Sequence, residues 1–174
     1  MGRIGTVESV TAVPDQTANP PGTAEAYADW VRPHLPAMAR LAARLAPEAE
    51  RDDIVQEALA RAWRKRHLYD ARRGTPAAWL LAITADQARQ ARRRRRALPF
   101  IDMPARVRST EDRVDVEYAV ARLAPRQRLA VDCFYFVGLS LAETAAVMGC
   151  SEGTVKSTLS DARLRLRPLL EVNE

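Results

Sequence analysis

The chain has 174 residues, a length that suits one ordinary domain or two small ones. Hydrophobic residues make up 47% and aromatic residues only 6%, so a core must consist mainly of Leu, Val, Ile and Ala, and strand-like alternation is nearly absent. The net charge of +5 and the isoelectric point near 9.8 permit an anionic partner. The two cysteines lack the spacing of a disulfide framework or a zinc site, so neither a metal nor a cofactor is expected.

The N-terminal part predicts a tail followed by two helices. Residues 1–23 lack helical periodicity, which predicts a disordered tail. Apolar residues at helical spacing predict a first helix over residues 24–46, in which Pro33 and Pro36 indicate a kink or a late start. A second helix is predicted over residues 50–68, with an apolar stripe and a polar, partly acidic face.

A third helix is predicted from Thr75 to Arg96, after a loop at 69–74. Thr75 has the character of an N-cap, and Pro76 suits the first helical position. The helix ends in an unbroken block of Arg92, Arg93, Arg94, Arg95 and Arg96. Because five adjacent arginines repel one another, a nearby phosphate backbone explains the block better than a solvated helix end does. These three helices could bury one core, so residues 24–96 are predicted as the first domain.

Residues 97–113 contain prolines and little periodicity, and the charge changes there from strongly basic to slightly acidic. They are predicted as a flexible linker to a second small helical domain, residues 114–174. The fold class is therefore all-α, with two helical domains. Cys133 and Cys150 in the second domain are expected to behave as small buried hydrophobic residues.

A helix-turn-helix is predicted from Leu139 to Leu166. Ser140 caps a short helix, Gly149 turns the chain, and Ser151 caps a second helix. The second helix would lie in the DNA major groove, where the expected exposed residues are Glu152, Thr154, Lys156, Ser157 and Thr158. The residues expected to hold the DNA backbone are Arg163, Arg165 and Arg167. The alternative interpretation is an ordinary helical hairpin.

Several segments together resemble the extracytoplasmic-function (ECF) group of bacterial sigma-70 family RNA polymerase sigma factors. Leu123–Arg128 and Leu139–Ser157 resemble region 4 of that group. Asp53–Trp63 resembles the polymerase-binding helix of region 2. Trp79–Ile83, followed by the arginine block, resembles the promoter-melting helix. The resemblance covers about residues 24–170, in the same order and with the same gap.

The resemblance implies a non-enzymatic subunit of RNA polymerase that directs transcription initiation. Residues 24–96 would be region 2 and residues 114–174 region 4. The expected partners are core polymerase, through its β′ clamp and β flap, promoter DNA, and an anti-sigma factor of the kind common in this group. The protein is expected to be cytoplasmic, without membrane insertion, because the sequence has no signal peptide and no apolar run that could span a membrane.

The resemblance also assigns residues to each partner. Core polymerase would be bound by Asp53, Gln56, Glu57 and Arg61. The minus-ten promoter element, with a base flipped into the 69–74 loop, would be contacted by Arg72, Arg73, Trp79, Arg89, Arg92, Arg93, Arg94, Arg95 and Arg96. The minus-thirty-five element would be contacted by Arg126, Ser151, Glu152, Thr154, Lys156, Ser157, Thr158 and Arg163.

The sequence departs from the family pattern at two places. Ala85 and Asp86 stand where the family commonly has Arg-Asn, which puts an acid where DNA is expected. In the last helix, common basic residues are replaced by Thr158, Ser160 and Asp161. Trp79 is the available aromatic wedge for melting, although a tryptophan at helical spacing is more often a core residue.

The sequence leaves two other functions as alternatives. A stand-alone regulator would bind duplex DNA as a dimer without polymerase, but it would leave the acidic second helix and the melting helix without a role. An enzyme is the weakest alternative, because His34 and His67 lack catalytic partners at motif spacing and the sequence has no phosphate-binding glycine loop.

Overall fold

The computed structural model describes residues 19–46, 50–97 and 111–170, and every regular element in those ranges is helical. The predicted all-α class is confirmed. In chain order the α-helices are α1 (Ala24–Val31), α2 (Leu35–Leu45), α3 (Arg51–Lys65), α4 (Pro76–Ala97), α5 (Glu111–Ala121), α6 (Pro125–Val131), α7 (Leu141–Met148) and α8 (Glu152–Leu170). Most of the predicted tail, and residues 98–110 of the predicted linker, lie outside the described residues.

The prolines divide the predicted first helix. Thr23 caps α1, and its hydroxyl accepts a hydrogen bond from the Ala26 amide at 3.4 Å. A 3₁₀ turn at Arg32–His34 then leads into α2, with Pro33 and Pro36 in the first positions of the turn and of α2. Proline fits there because those amides have no partner inside a helix. The predicted kink is confirmed.

The helices α3 and α4 begin where local chemistry favours a start. Asp52 and Asp53 lie in the first turn of α3, where carboxylates interact favourably with the helix dipole. The Thr75 hydroxyl accepts a hydrogen bond from the Ala78 amide at 3.2 Å, and Pro76 opens α4. Thr75 therefore acts as the predicted cap.

The predicted helix-turn-helix corresponds to α7, a tight turn and α8. Ser140 and Glu143 form a reciprocal capping box at the start of α7, with the Ser140 amide 2.8 Å from the Glu143 carboxylate. Gly149 ends α7 with φ 64°, a left-handed conformation that favours glycine. The Ser151 hydroxyl then accepts a hydrogen bond from the Thr154 amide at 3.2 Å and caps α8.

The helices form two groups with separate centres. In the N-terminal helix group, α1–α4, large apolar side chains such as Met38, Leu41, Leu80 and Leu81 are almost fully buried. In the C-terminal helix group, α5–α8, a second core forms around Val120, Leu123, Ala130, Val131, Ala145, Val155, Leu159 and Ala162. The two groups pack directly against each other, with no solvent layer between them at this contact.

The contact between the groups extends the first core across the predicted domain boundary. After α6 the chain makes a π-helical turn, Asp132–Phe136, and then enters α7. The side chains that these segments add to the core of the N-terminal group are Cys133, Val137, Leu139 and Val147. The α4–α7 contact is the most extensive between any two of the described helices. The two predicted domains are therefore in close contact.

The shared core gives a stability prediction. Leu41→Ala removes a fully buried side chain and should lower the free energy of unfolding by about 2–5 kcal/mol, because the cavity cannot close completely. Leu164→Ala is the matched control: this leucine is 70% exposed, so the change should be below about 0.5 kcal/mol. Urea unfolding followed by circular dichroism measures both. Equal small effects would contradict the burial of Leu41.

Candidate nucleic-acid interface

Helix α8 has one buried and one exposed face. Val155, Leu159 and Ala162 follow helical spacing and pack into the second core. This fixes the rotation of the helix, so that Lys156, Ser157 and other polar side chains face outward. The predicted minus-thirty-five residues that the structure exposes are Arg126, Ser151, Glu152, Lys156, Ser157 and Arg163. Hydroxyl and ammonium groups on an exposed helix can donate to base edges and phosphates.

Thr154 and Thr158 differ from the other predicted contacts. Thr154 is half-buried, and its hydroxyl lies 2.9 Å from that of Ser151. Thr158 was expected to be exposed, and this is wrong: it is 9% exposed and donates its hydroxyl to the Thr154 carbonyl at 2.7 Å. Thr158 lies three residues after Val155, on the core-facing side of α8, and its hydroxyl satisfies a backbone carbonyl in its own helix.

The arginine block lies at the exposed C-terminal end of α4, beside the acidic side of α3. Arg92, Arg93, Arg94 and Arg95 are all exposed, whereas the Arg96 side chain lies outside the described residues. A groove between α3 and α4 brings Asp53 and Glu57 together with Arg94 and Arg95. The buried amide nitrogen of Gln87 in this groove has no hydrogen-bond partner.

Of the four predicted polymerase contacts on α3, Asp53, Gln56 and Glu57 are exposed, and Glu57 pairs with Arg64 at 3.3 Å. Arg61 is half-buried and lies in a different groove, which is bounded by α4 and α7. The structure thus keeps three of the predicted contacts on an open face and turns the fourth towards the C-terminal helix group.

The loop before α4 is held by its own hydrogen bonds. The Tyr69 hydroxyl donates to the Gly74 carbonyl at 3.0 Å, and the Asp70 carboxylate accepts from the Arg72 amide at 2.9 Å. Burial raises the pKa of the Tyr69 phenol. Arg72 and Arg73 are exposed, and they line a cleft of about 550 Å³ whose other wall is α7 with Glu152. The predicted pocket for a flipped base therefore opens between the two helix groups.

Trp79 belongs to an aromatic cluster rather than to an open surface. Its ring centroid lies 5.4 Å from that of Tyr69 and 6.3 Å from that of Trp30. Tyr27 packs nearby at 5.9 Å from Trp30, and burial raises the pKa of its phenol to about 12. Trp79 is partly buried against the first core, in agreement with the expectation that a tryptophan at helical spacing is a core residue.

Asp86 and Arg89, on the side of α4 that faces α7, form an ion pair. Their side chains lie 2.7 Å apart, and Arg89 also donates to the Val147 carbonyl at 3.3 Å. Trp79, Asp86 and Arg89 line the same groove between α4 and α7. The unusual acid of the sequence therefore neutralises a neighbouring arginine, and two predicted minus-ten contacts face α7.

Sequence reasoning missed an ion cluster that joins the helix groups. The Arg44 guanidinium on α2 donates to both carboxylate oxygens of Glu117, at 2.8 and 3.0 Å, and to Asp132 at 2.6 Å. It also lies over the Phe136 ring at 4.1 Å. Burial raises the pKa of Asp132 although Arg44 opposes this, and Glu117 and Asp132 raise the pKa of Arg44 although burial opposes it. The available sequence signal was an acid, Asp132, inside an apolar run.

Comparison with known proteins identifies the family to which this chain belongs. The family model described as Sigma-70 region 2 matches residues 30–98, and that described as Sigma-70, region 4 matches residues 113–166. The ECF RNA polymerase sigma factor SigL of Mycobacterium tuberculosis is 32% identical over 150 residues, which cover 79% of this chain and 85% of that protein. The probable RNA polymerase sigma-C factor of Mycobacterium bovis is 34% identical over 166 residues, covering 90% and 88%. The chain belongs to the ECF group of RNA polymerase sigma factors.

Solved structures agree with this family. CnrH in complex with the cytosolic domain of CnrY superposes on this sigma factor with a TM-score of 0.64 at 28% identity, covering 88% of this chain and 92% of that one. RpoE from Bartonella quintana, in complex with the anti-sigma factor NepR, gives a TM-score of 0.61 at 28% identity, covering 85% and 98%. Both matches extend over both helix groups.

Family membership confirms the function predicted from the sequence: the protein is a DNA-binding transcription initiation factor, of a kind that is generally non-enzymatic. In the part of the chain that the structure describes, no helix combines the length and apolar character that a membrane span requires. Nor do those residues contain a group of three or more His, Cys, Asp or Glu side chains that could hold a metal ion.

The sigma factor contains a buried thiol at the contact between its helix groups, and this gives a second prediction. Burial, with a contribution from Asp132, raises the pKa of Cys133 to about 12, and its side chain is fully buried. A thiol reagent at pH 8 should therefore modify Cys150 of the native protein but leave Cys133 unmodified, because the thiolate is the nucleophile. Absorbance with a disulfide reagent, in Cys133→Ser and Cys150→Ser variants, assigns the sites. Both thiols should react in denaturant, and rapid native reaction at Cys133 would contradict its burial.

Proposed function

We propose that the sigma factor binds core RNA polymerase through α3, contacts the minus-ten element through α4 and the loop before it, and contacts the minus-thirty-five element through α8. The observation that carries this is the presence on one chain of two separate basic, exposed surfaces, the end of α4 and the outer face of α8, beside an acidic face on α3. A duplex-binding regulator that works without polymerase requires only the second of these surfaces.

The open face of α3 is the proposed site for the β′ clamp. Asp53, Gln56 and Glu57 are exposed along one side of the helix, and Arg61 would join them once its groove is open. Carboxylates on an exposed helix complement a basic partner and fix its register more than they add affinity. Region 4, at residues 114–174, is proposed to contact the β flap.

The proposed minus-ten surface consists of the loop arginines Arg72 and Arg73, together with Trp79, Arg89 and the arginine block, residues 92–96. Exposed arginines on a helix can track a separated strand by pairing with its phosphates. Trp79 would act mainly by holding the loop, because its ring packs on Tyr69 at 5.4 Å.

The remaining assignments follow from the family. Region 2 is proposed as residues 24–96, joined by a linker over 97–113 to region 4, with residues 1–23 as a tail. The protein is proposed to act in the cytoplasm, with the polymerase, and to have no catalytic activity of its own. An anti-sigma factor is a further proposed partner, since the solved relative from Bartonella quintana carries one.

Gel filtration with purified core polymerase, followed by run-off transcription on fragmented genomic DNA, tests the proposal. The sigma factor should co-elute with core polymerase and direct initiation at specific sites. Binding of duplex DNA without co-elution would instead support the stand-alone regulator.

Lys156 gives a prediction that separates DNA recognition from polymerase binding. Lys156→Ala should weaken binding of the holoenzyme to the minus-thirty-five element by about five- to tenfold, roughly the 1 kcal/mol or more that a contact from a charged donor contributes. Co-elution with core polymerase should be unchanged. Lys65→Ala, which removes the same charge from the exposed end of α3, is the matched control and should retain promoter affinity. Titration of labelled promoter DNA measures both, and equal loss in the two variants would contradict a specific contact.

The arginine block gives a prediction about melting. Replacing Arg92, Arg93 and Arg94 together by Ala should reduce open-complex formation by about tenfold or more, because three phosphate contacts to the freed strand are lost. A template whose minus-ten region is already unpaired should show a smaller defect.

The control replaces Arg163, Arg165 and Arg167, an equal charge on the exposed face of α8. This variant should impair binding to duplex promoter DNA on paired and unpaired templates alike. Permanganate reactivity of unpaired thymines measures opening. A collapse of core-polymerase binding in the Arg92–Arg94 variant would show that the block is structural.

A further inference from the structure

The two helix groups are joined by a charged cluster whose side chains are largely withdrawn from solvent. Arg44 pairs with Glu117 and Asp132, and the three side chains are only 22%, 25% and 8% exposed. The bidentate pairing with Glu117 fixes the geometry of both side chains. Partly buried pairs are screened much less than exposed ones, and removing one partner leaves the others uncompensated.

Two neighbouring hydrogen bonds also join the helix groups. Arg40 on α2 donates to the Val137 carbonyl at 3.2 Å, and Arg89 on α4 donates to the Val147 carbonyl at 3.3 Å. Val137 and Val147 also supply apolar side chains to the shared core. Polar and apolar contacts thus hold the C-terminal helix group against α2 and α4.

Each helix group retains its own core if the contact opens. The core of the C-terminal group, around Val155 and Leu159, contains no residue of α1–α4. The N-terminal group keeps Met38, Leu41 and Leu80 packed together. Opening therefore exposes one apolar face on each group without dismantling either.

The closed arrangement is incompatible with simultaneous contact of both promoter elements. Packed helices lie about 8–10 Å apart, so α8, which packs on α7, lies within roughly 20 Å of the α4 axis. With 22 residues, α4 is about 33 Å long. The names of the minus-thirty-five and minus-ten elements place them about 25 base pairs apart, which at about 3.4 Å per base pair is roughly 85 Å of straight duplex. In addition, Trp79 and Arg89 line a groove whose opposite wall is α7.

We propose that this sigma factor inhibits itself: the cluster of Arg44, Glu117 and Asp132 latches region 4 onto region 2, and the latch must open before core polymerase and promoter DNA can be engaged together. The latch acts within a single chain and needs no protein partner. The inhibitory effect of the latch rests on the proposed function, whereas the closed arrangement itself can be measured without polymerase.

Cys133 reports the opening directly, because its thiol is buried in the contact between the groups. In a Cys150→Ser background it is the one thiol of the chain. Arg44→Gln, and separately Glu117→Gln with Asp132→Asn, should each accelerate Cys133 modification by about tenfold. Arg32→Gln is the matched control: it removes an arginine from an exposed ion pair with Asp29 inside the N-terminal group and should leave the rate unchanged.

The same variants should bind core polymerase more tightly by a factor similar to the acceleration, because the apparent affinity is proportional to the fraction of molecules that are open. An unchanged rate of Cys133 modification in both latch variants would overturn the latch. So would a rate in the protein with an intact latch that equals the rate in denaturant. Faster modification without tighter polymerase binding would retain the latch and overturn its role in inhibition.

Loss of the helical circular dichroism signal in a latch variant would mean that it had unfolded. In that case Glu117→Gln alone, which keeps the Arg44–Asp132 pair, replaces it. This milder variant should still accelerate Cys133 modification at least threefold. Its urea unfolding curve should show that it is folded in the urea-free buffer of the thiol assay. No acceleration in this folded variant would overturn the latch. Failure of all proteins to bind core polymerase would contradict the proposed function and leave the thiol result valid.

Discussion

The packing of α7 against α4 is the contact on which the rest of the structure depends. Small side chains make it close: Ala78 and Ala82 on α4 and Ala146 on α7 line the clefts at its edge. Val147 and Leu139 belong to the same buried core as Leu80 and Leu81. Because interiors are densely packed, this contact fixes the position of the whole C-terminal group. It determines which faces of α4 and α8 are available to DNA.

Charge in this sigma factor is arranged by position more than by amount. The net charge is modest at +5, but the exposed arginines of α4 and the acidic side of α3 lie across one groove. Asp86 pairs with Arg89 at 2.7 Å on the side of the same helix that faces α7, and both side chains remain exposed. The exposed basic end of α4 therefore differs from its middle, where Asp86 offsets the charge of Arg89.

Much of the fold could be predicted because its determinants are local in sequence. Thr75 with Pro76, the capping box of Ser140 with Glu143, and the left-handed Gly149 each act within a few residues of their own position. The family resemblance was equally local, and the matched regions contain the predicted segments. The burial of Thr158 is different: its hydroxyl suggested a DNA contact, but its spacing from Val155 placed it on the core face.

By itself, the sequence determined the all-helical class, the capped starts of α4, α7 and α8, the family and the two basic segments, because periodicity, caps and charge runs are properties of neighbouring residues. Only the tertiary structure decided that the two helix groups close on each other. Arg44 meets Glu117 and Asp132 across 73 and 88 residues of chain, and a separation of that length leaves no periodic pattern. Such pairings arise from shape and burial once the helices have packed, so they become visible only in the folded molecule.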